Sequence, residues 1–366
     1  MNYFVLNKVL LFIVIGVTTL MTPNAVSAPI EHLNVGQITV TDQSTFAQKR
    51  AGNKAFQQVI VKMSGDPNTL NNAQVKKSAA SFEQFLIASS FSQDGEKLVY
   101  QAEFNQQKIV ELLRSEGLNI WGARRPSALL WLVIEDDSTK IKSLITQQSN
   151  VNYSDIVQQA ANQRGIEIVM PIGDLTDSMN VAPMDVWGLF SSSIYNKSAR
   201  YNTNYVIGAK IGVVFDNFTA SEKLQLSYFV TNGQTIKTTN IVGNDINALL
   251  AEFVDQYSSH LADLYAIDAS ETTAFFEVKL SVSKIDTLMK YRKVLEILSS
   301  LTVTQNVEIS AQIKDISTFQ LRSNVSPARL KTILELEKSL RVPEYQSLDP
   351  SSPSGKVLID YEWRGN

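Results

Sequence analysis

Apolar and polar residues alternate with strand and helix periods through the first block of the chain, residues 29–137. Leu33–Val40 and Lys97–Phe104 alternate apolar with polar side chains, as half-buried strands do. Between them, apolar residues recur every fourth position from Ala47 to Met63 and predict a helix that packs closely on a sheet. An unbroken apolar run, Ala128–Ile134, predicts a strand buried on both faces. Two further helices are expected, around Asn72–Leu86 and from Asn105 to Gly117.

The second block, residues 138–270, has the signals of another α/β module. A helix capped by Ser154 and stopped at Gly165 precedes a short strand that ends at Pro171, which is half of a βαβ unit. A second helix is expected over Met184–Ala199, and Asp245 can cap a long amphipathic helix. Three antiparallel strands are predicted between these helices, over Tyr205–Phe215, Lys223–Thr231 and Thr235–Val242, with a hairpin turn at Asn232-Gly233.

The third block, residues 271–343, has the element order β-α-β-β-α-β, which is the ferredoxin-like arrangement. Ser283 is the expected cap of its first helix, Ser326-Pro327 opens its second, and Leu340–Val342 is its last strand. Residues 344–366 are predicted to be a linker followed by a terminal strand, Val357–Trp363, that docks on a sheet edge. The expected fold class is therefore α/β to α+β, built of several small modules.

Residues 1–28 have the features of a secretory signal peptide. Lys8 precedes an apolar run, Val9–Leu20, which is too short to span a membrane and is followed by small residues. Cleavage is expected after Ser27 or Ala28. The chain has no cysteine, so disulfides, thiolate metal sites and the usual bacterial lipoprotein anchor are excluded. This combination favours the periplasm of a Gram-negative envelope, and no second apolar run is long enough to span a membrane.

Charge and length limit the partners of the chain. The net charge is −3 over 366 residues, and loss of the leader with its single charge makes the mature chain one unit more negative. Such a chain is not attracted to phosphate backbones or anionic lipid, so nucleic acid is not an expected partner. The length exceeds that of one ordinary core and indicates two or three domains. Envelope proteins are the expected partners.

No pattern in the sequence predicts a reacting centre. The two histidines, His32 and His260, do not lie beside a serine elbow, and a histidine near a helix C-terminus usually compensates the helix dipole. G-x-S-x-G, H-E-x-x-H, P-loop and G-x-G-x-x-G motifs do not occur. We therefore assign no catalytic residue, no metal site and no cofactor from the sequence, and enzymatic activity is not expected.

Two groups of residues are the main candidates for a functional site. Asp174, Asp177 and Asp185 follow a strand that ends at Pro171; they either hold a cation or do acid–base work, or they simply cap turns and helices. Trp121, Arg124 and Arg125 form a candidate interaction or anion site before the buried strand. In the structural alternative, which we favour, an arginine packs over the indole or pairs with Asp136 or Asp137.

A polar-aromatic stretch lies next to the second block's first strand. Tyr195, Tyr201 and Asn202–Tyr205 suit a protein or glycan surface, and they equally suit a helix-to-strand joint with half-buried phenols. The residues alone do not separate these two interpretations.

Several segments together resemble an uncharacterised proteobacterial family, the domain-of-unknown-function 2066 proteins. The resemblance covers most of residues 33–265 and is carried by Val59–Gly65, Leu118–Pro126 running into Leu129–Val133, Gln163–Asp177 and Asp185–Gly188. It implies an exported envelope protein and no particular activity. The second block is also similar, at the level of fold, to the α/β domain at the start of periplasmic translocation proteins and in outer-membrane lipoprotein regulators.

The function expected from the sequence is that of a non-enzymatic periplasmic protein that acts through protein–protein contacts in the cell envelope. The alternative is an envelope hydrolase or metal-dependent enzyme that uses the three aspartates. A third hypothesis is a small-ligand sensor with a cleft between the second and third blocks.

Overall fold

The structure, a computed structural model, describes residues 32–149, 152–216, 220–268, 275–301, 303–337, 339–343 and 357–365. The strands of these residues form three separate sheets. The chain is a mixed α/β protein, as expected from the sequence. The signal peptide predicted at residues 1–28 and the linker predicted before Val357 lie outside the described residues.

The N-terminal module is a three-stranded antiparallel sheet with helices packed on it, in the strand order β1-β3-β2. Its elements are β1 Val35–Val40, α1 Thr45–Ser64, α2 Ala73–Ala80, β2 Leu86–Asp94, β3 Lys97–Phe104 and α3 Gln106–Ser115. Helix α1 approaches β1 closely, because a Cβ added at Gly36 would lie 2.7 Å from the Cβ of Ala55. The alanine stripe of α1 permits this approach, as the sequence predicted.

One strand of this module was not predicted. The helix expected around Asn72–Leu86 ends at Ala80, and β2 begins at Leu86. Strand β2 lies at the edge of the sheet, where it pairs only with β3 within the described residues. Much of it is exposed, so its sequence lacks the apolar alternation that identifies a strand buried on one face.

The central module is a larger sheet with helices on both faces, in the order β5-β4-β7-β8-β9, with β6 paired to the first residues of β4. Its strands are β4 Ser127–Glu135, β5 Lys142–Ile145, β6 Glu167–Val169, β7 Tyr205–Asp216, β8 Ser221–Thr231 and β9 Ile236–Gly243. Its helices are α4 Tyr153–Arg164, α5 Leu175–Asn180, α6 Pro183–Trp187, α7 Ser191–Lys197 and α8 Ile246–Tyr265.

Side chains of strand β4 alternate between two hydrophobic cores, one on each face of the central sheet. Leu130 and Leu132 point into the core under α4 and α8, whereas Trp131 and Val133 point into a second core under α5–α7. Both faces of β4 are buried, as its unbroken apolar sequence predicted. The sequence placed this strand in the first block, which was wrong, because its parallel pairing with β6 and β7 makes it part of the second sheet. The other domain boundaries remain predictions.

Two further local predictions differ from the structure in this module. The helix expected over Met184–Ala199 is broken into α6 and α7, and Leu189 between them has a left-handed backbone with φ of 53°. Strand β5 was not predicted, because it has only four residues. The cap of α8 is Asp245, whose side chain accepts a hydrogen bond from the backbone N–H of Ala248, as expected.

The third module has the predicted order of elements, with one change in its sheet. Its elements are β10 Phe276–Ser283, α9 Leu288–Ser300, β11 Thr304–Ile313, β12 Ile316–Ser323, α10 Pro327–Leu334, β13 Leu340–Arg341 and β14 Val357–Trp363. The sheet order is β11-β12-β10-β14-β13. The terminal strand β14 does not add to an edge; it lies between β10 and β13 and runs parallel to β10. Thr287, rather than Ser283, caps α9.

Candidate functional site

The three modules meet at a short connecting segment, Trp121–Pro126, which we call the joint. The sequence candidates Trp121, Arg124 and Arg125 all belong to it. Just before the joint, Ile120 exchanges two backbone hydrogen bonds of 2.8 Å with Ile267, which lies in the segment that leads from the central to the third module. The two chain segments that connect the modules are therefore paired with each other.

Arg125 is buried at the centre of the joint, with 1% of its surface exposed. Its guanidinium carbon lies 4.0 Å from the ring centroid of Trp121, a cation–π arrangement. The guanidinium donates hydrogen bonds to the backbone carbonyl oxygens of Lys62, Trp121, Gly122, Arg164 and Gly165. This side chain therefore ties together three segments that are far apart in the sequence.

The carbonyls that Arg125 binds explain why an arginine is required there. The last carbonyls of a helix have no intrahelical partner and carry the negative end of the helix dipole. Lys62 lies in the last turn of α1, and Arg164 ends α4. One guanidinium thus satisfies the C-termini of two helices, one from the N-terminal module and one from the central module.

The end of α1 is completed by two more groups of the central part of the chain. The backbone N–H of Trp121 donates to the carbonyl of Met63 at 2.6 Å, and Arg164 donates to the carbonyl of Gly65 at 2.8 Å. Arg164 also pairs with Asp255 of α8 at 2.9 Å and donates to Ser258. Arg164 was not among the sequence candidates. Its only signal was a basic residue in a last helical turn before glycine, which is common at helix ends.

Arg124 faces the third module, although it is adjacent to Arg125 in the sequence. It forms an ion pair with Glu337 and donates to the hydroxyl of Ser300 at 2.5 Å. A weaker bond of 3.4 Å reaches the carbonyl of Ile297 in the last turn of α9. The two consecutive arginines therefore hold different modules on the joint.

Burial changes the titration of the basic groups in the joint. Desolvation lowers the pKa of Lys62 to about 8, with a contribution from the nearby Arg125. Desolvation and the proximity of Arg164 also lower the pKa of Arg125. The Lys62 ammonium donates to the carbonyl of Val35 at 2.9 Å. These contacts fit a buried structural junction better than an anion site open to solvent.

The carboxylates that the alternative hypothesis needs are used in local contacts. Asp174 caps α5 through the backbone N–H of Asp177 and receives two hydrogen bonds from Arg200, at 2.8 and 2.9 Å. Asp177 is buried and accepts from Arg200, from the Gly173 backbone and from the hydroxyl of Tyr201 at 2.5 Å. Burial and Asp177 raise the pKa of Tyr201 to about 12, so the phenol remains a donor.

Asp185 lies in a separate contact. Its carboxylate accepts from the Lys197 ammonium at 2.9 Å and from the backbone N–H of Ala182 at the start of α6. The bonds to Lys197 and to Arg200 lower the pKa values of Asp185 and Asp174, whereas a general acid at neutral pH needs a raised one. Among the described residues, no group of three or more histidine, aspartate or glutamate side chains could hold a metal ion. This geometry favours the capping interpretation.

The Arg200 contact predicts a specific pH dependence of stability. Hydrogen bonds from Arg200 lower the pKa of Asp174 to about 2, below the value of about 4 of an unfolded aspartate. The stabilisation is therefore present above about pH 4 and lost as the pH falls toward 2. We expect Asp174→Asn to be less stable than wild type at neutral pH, with a difference that shrinks between pH 4 and 2 in urea titrations. Asp155→Asn, which removes an exposed carboxylate of α4, is the control; a constant difference for Asp174→Asn would contradict the assignment.

The remaining sequence candidates are distributed over the central module. Lys237 lies 3.3 Å from the His260 ring on the exposed side of α8, and burial lowers the pKa of this histidine. Tyr195 packs against Gly233 in the β8–β9 hairpin. Asn204 accepts from the backbone and hydroxyl of Ser127, and the hydroxyl of Tyr205 lies 2.8 Å from that of Tyr265. The polar-aromatic stretch thus connects a helix to strand β7, and its last two residues, Asn204 and Tyr205, also line a cleft beside residues of the third module.

A group of large apolar side chains is exposed on the short helices of the central module. We define the α5–α7 surface as Leu175, Met179, Met184 and Phe190, which are 76%, 77%, 58% and 59% exposed. Leu175 and Met179 lie one turn apart, on the same side of α5. The same segment buries Val181, Val186 and Ile194 against the sheet, so the exposed residues project from a fixed layer. Sequence periodicity did not identify this surface, because apolar residues are normally assigned to the core.

Comparison with known families identifies one region of the chain. A family model described as a domain of unknown function, DUF8605, matches residues 27–122, which span the N-terminal module and end inside the joint. The match supports an uncharacterised domain in this region. It does not support membership of the 2066 family or a proteobacterial origin. No curated protein matches the chain. Within the described residues, no helix combines the length and apolar character that crossing a membrane requires.

Proposed function

We propose that this protein is an exported, non-enzymatic component of a Gram-negative cell envelope that binds another protein through the α5–α7 surface. The exposure of Leu175, Met179, Met184 and Phe190 carries the proposal. Exposed apolar patches on an otherwise packed protein commonly mark protein interaction sites, and methionine adapts well to a partner surface. The export and envelope part of this proposal comes from the leader sequence and from the resemblance over residues 33–265 to the 2066 family, which are expectations from the sequence.

The charges around the α5–α7 surface indicate the chemistry of the partner. Asp174 pairs with Arg200, and Asp185 pairs with Lys197. The ammonium of Lys142 lies 4.5 Å from the ring centroid of Trp187 and also pairs with Glu135. Because these charges are satisfied within the chain, the surface recognises apolar side chains of a polypeptide and not a charged motif. Binding should therefore depend only weakly on salt.

The joint gives this surface a fixed position. Arg125, Arg164 and Arg124 hold the three modules together through helix C-termini and ion pairs. A rigid body loses little conformational freedom when it binds, which favours a scaffold role.

The test is position-specific photo-crosslinking in cells at Met179, with Phe46 of α1 as the control position. Phe46 is 72% exposed and lies on the N-terminal module. We expect a discrete crosslinked partner from position 179 and not from position 46. The partner is then purified, and the Leu175→Asp/Met179→Asp variant is expected to bind it about 10- to 100-fold more weakly than wild type. Phe46→Asp should bind as wild type does.

Two results would contradict the proposal. One is the same crosslinking pattern from both positions, because the contact would then not be specific to the α5–α7 surface. The other is a chain that retains residues 1–28 and fractionates with the cytosol. Mass spectrometry of the purified protein should instead find a new N-terminus after Ser27 or Ala28.

A further inference from the structure

A polar cleft lies between the central and third modules, apart from the α5–α7 surface. It has a volume of about 400 Å³, within the range of about 300–1,000 Å³ of small-molecule sites. Strand β7 and the β8–β9 hairpin contribute residues from one side, and the segment from α10 to β13 together with β14 contributes from the other. Both modules are therefore needed to form the cleft.

Three tyrosines form the buried part of this cleft. Tyr205 and Tyr265 are each 8% exposed, and their hydroxyl oxygens lie 2.8 Å apart. Tyr361 of β14 is 1% exposed, and its buried hydroxyl has no hydrogen-bond partner among the described residues. A buried hydroxyl without a partner is costly, and a small shift of the Tyr361 ring toward the cleft would let a ligand oxygen supply one.

Amide side chains line the more exposed part. The Oδ1 atom of Asn204 accepts from Ser127, and the Oδ1 atom of Asn232 accepts from the backbone of Gln234 and Thr235. With their oxygens in use, these two amides offer N–H groups as donors. The exposed side chain of Gln234 also lines the cleft.

One carboxylate and one guanidinium, those of Glu335 and Arg341, complete the lining of the cleft. Glu335 is exposed at the end of α10, and its charge helps to raise the pKa of Tyr265 and of Tyr361 above the ordinary value, with burial as the larger cause. The phenols therefore remain neutral donors at physiological pH. Glu335 accepts hydrogen bonds and the guanidinium of Arg341 donates them, and their opposite charges leave the cleft lining without a net charge that would favour an ionic ligand.

We propose that this cleft binds a neutral, hydroxyl-rich ligand of the saccharide class. Phenol, amide and guanidinium donors beside a carboxylate acceptor match vicinal hydroxyls, each of which both donates and accepts, and the lining has no net charge. The proposal is independent of the α5–α7 surface, because the two sites share no residue. The sequence suggested a ligand cleft between the second and third blocks. This proposal gives that cleft a location and a class of ligand.

The test is saturation-transfer NMR and calorimetry on the purified protein with all three modules. The probes are maltose and N,N′-diacetylchitobiose as neutral disaccharides, and glucose 6-phosphate as the anionic control. We expect at least one neutral disaccharide to bind and the sugar phosphate not to bind. Tyr361→Phe is expected to weaken that binding roughly tenfold, because it removes one hydrogen bond to the ligand.

Tyr257→Phe is the matched control. Tyr257 is also a buried tyrosine whose hydroxyl has no partner among the described residues, and it is outside the cleft lining. Neither substitution removes a hydrogen bond within the described chain, so both variants should fold. Three results would overturn the proposal: no signal from either disaccharide at millimolar concentration, equal affinity of wild type and Tyr361→Phe, or equal or tighter binding of the sugar phosphate.

Discussion

Replacing Arg125 with methionine is expected to lower the free energy of unfolding by roughly 3–5 kcal/mol. Methionine keeps much of the apolar volume and removes the donors that satisfy the carbonyls of Lys62, Arg164 and Gly165. These carbonyls remain buried at the ends of α1 and α4, where water does not easily replace the guanidinium. Relief of the repulsion among Arg125, Lys62 and Arg164 offsets part of the loss.

Urea unfolding of wild type, Arg125→Met and Arg125→Lys measures this effect. Lysine keeps the charge and lacks the planar fork of donors, so it should recover only part of the stability. Arg114→Met is the matched control, because Arg114 is exposed in the last turn of α3. A loss below about 1 kcal/mol for Arg125→Met would mean that the joint is not held by this side chain.

Gly65→Ala is expected to destabilise the protein by roughly 2–5 kcal/mol, for two separate reasons. Gly65 has a φ of 78°, in the left-handed region that costs other residues free energy. A Cβ at this position would also lie 2.5 Å from the Cβ of Ala262 and 2.9 Å from the indole of Trp121. The clash forces α1 away from α8 and from the joint.

Gly117→Ala is the control that measures the cost of backbone strain without a steric clash. Gly117 ends α3 with a φ of 65°, and a Cβ added there would have no neighbour within 4 Å. It should cost about 1 kcal/mol, from backbone strain alone. Both variants are compared by urea unfolding at one pH. If Gly65→Ala and Gly117→Ala lose the same free energy of unfolding, the added Cβ at position 65 meets no clash. The N-terminal and central modules would then not pack closely at Gly65, which would contradict this prediction.

Local sequence signals predicted the elements that bury one face or both. The helix caps expected at Asp245 and Ser326 are confirmed, because a side-chain oxygen before an apolar period acts on its own neighbours. The cap expected at Ser154 is wrong, because α4 already begins at Tyr153 and Ser154 lies within its first turn. Strand β4 was recognisable from its unbroken apolar run. Strands β2 and β5 were missed, since a short or exposed edge strand buries too little apolar surface to leave a period.

Local sequence signals could not predict strand pairings and contacts between residues that are distant in the sequence. The place of β4 in the second sheet and of β14 between β10 and β13 depends on pairing partners far away in the sequence. The same limit applies to the joint. Arg124 and Arg125 stood out as an arginine pair, but the helix ends they satisfy come from α1, α4 and α9. The exposed α5–α7 surface could not be told from core residues before the layers were known.

Peptide-resolved hydrogen exchange across a urea titration of wild type tests most directly whether the joint holds the three modules as one body. The account predicts that peptides from β3, β4 and β12, one strand from each sheet, lose protection at a single urea concentration. Loss of protection in β3 or β12 at a clearly lower urea concentration than in β4 would contradict it, because that module would then unfold without the other two.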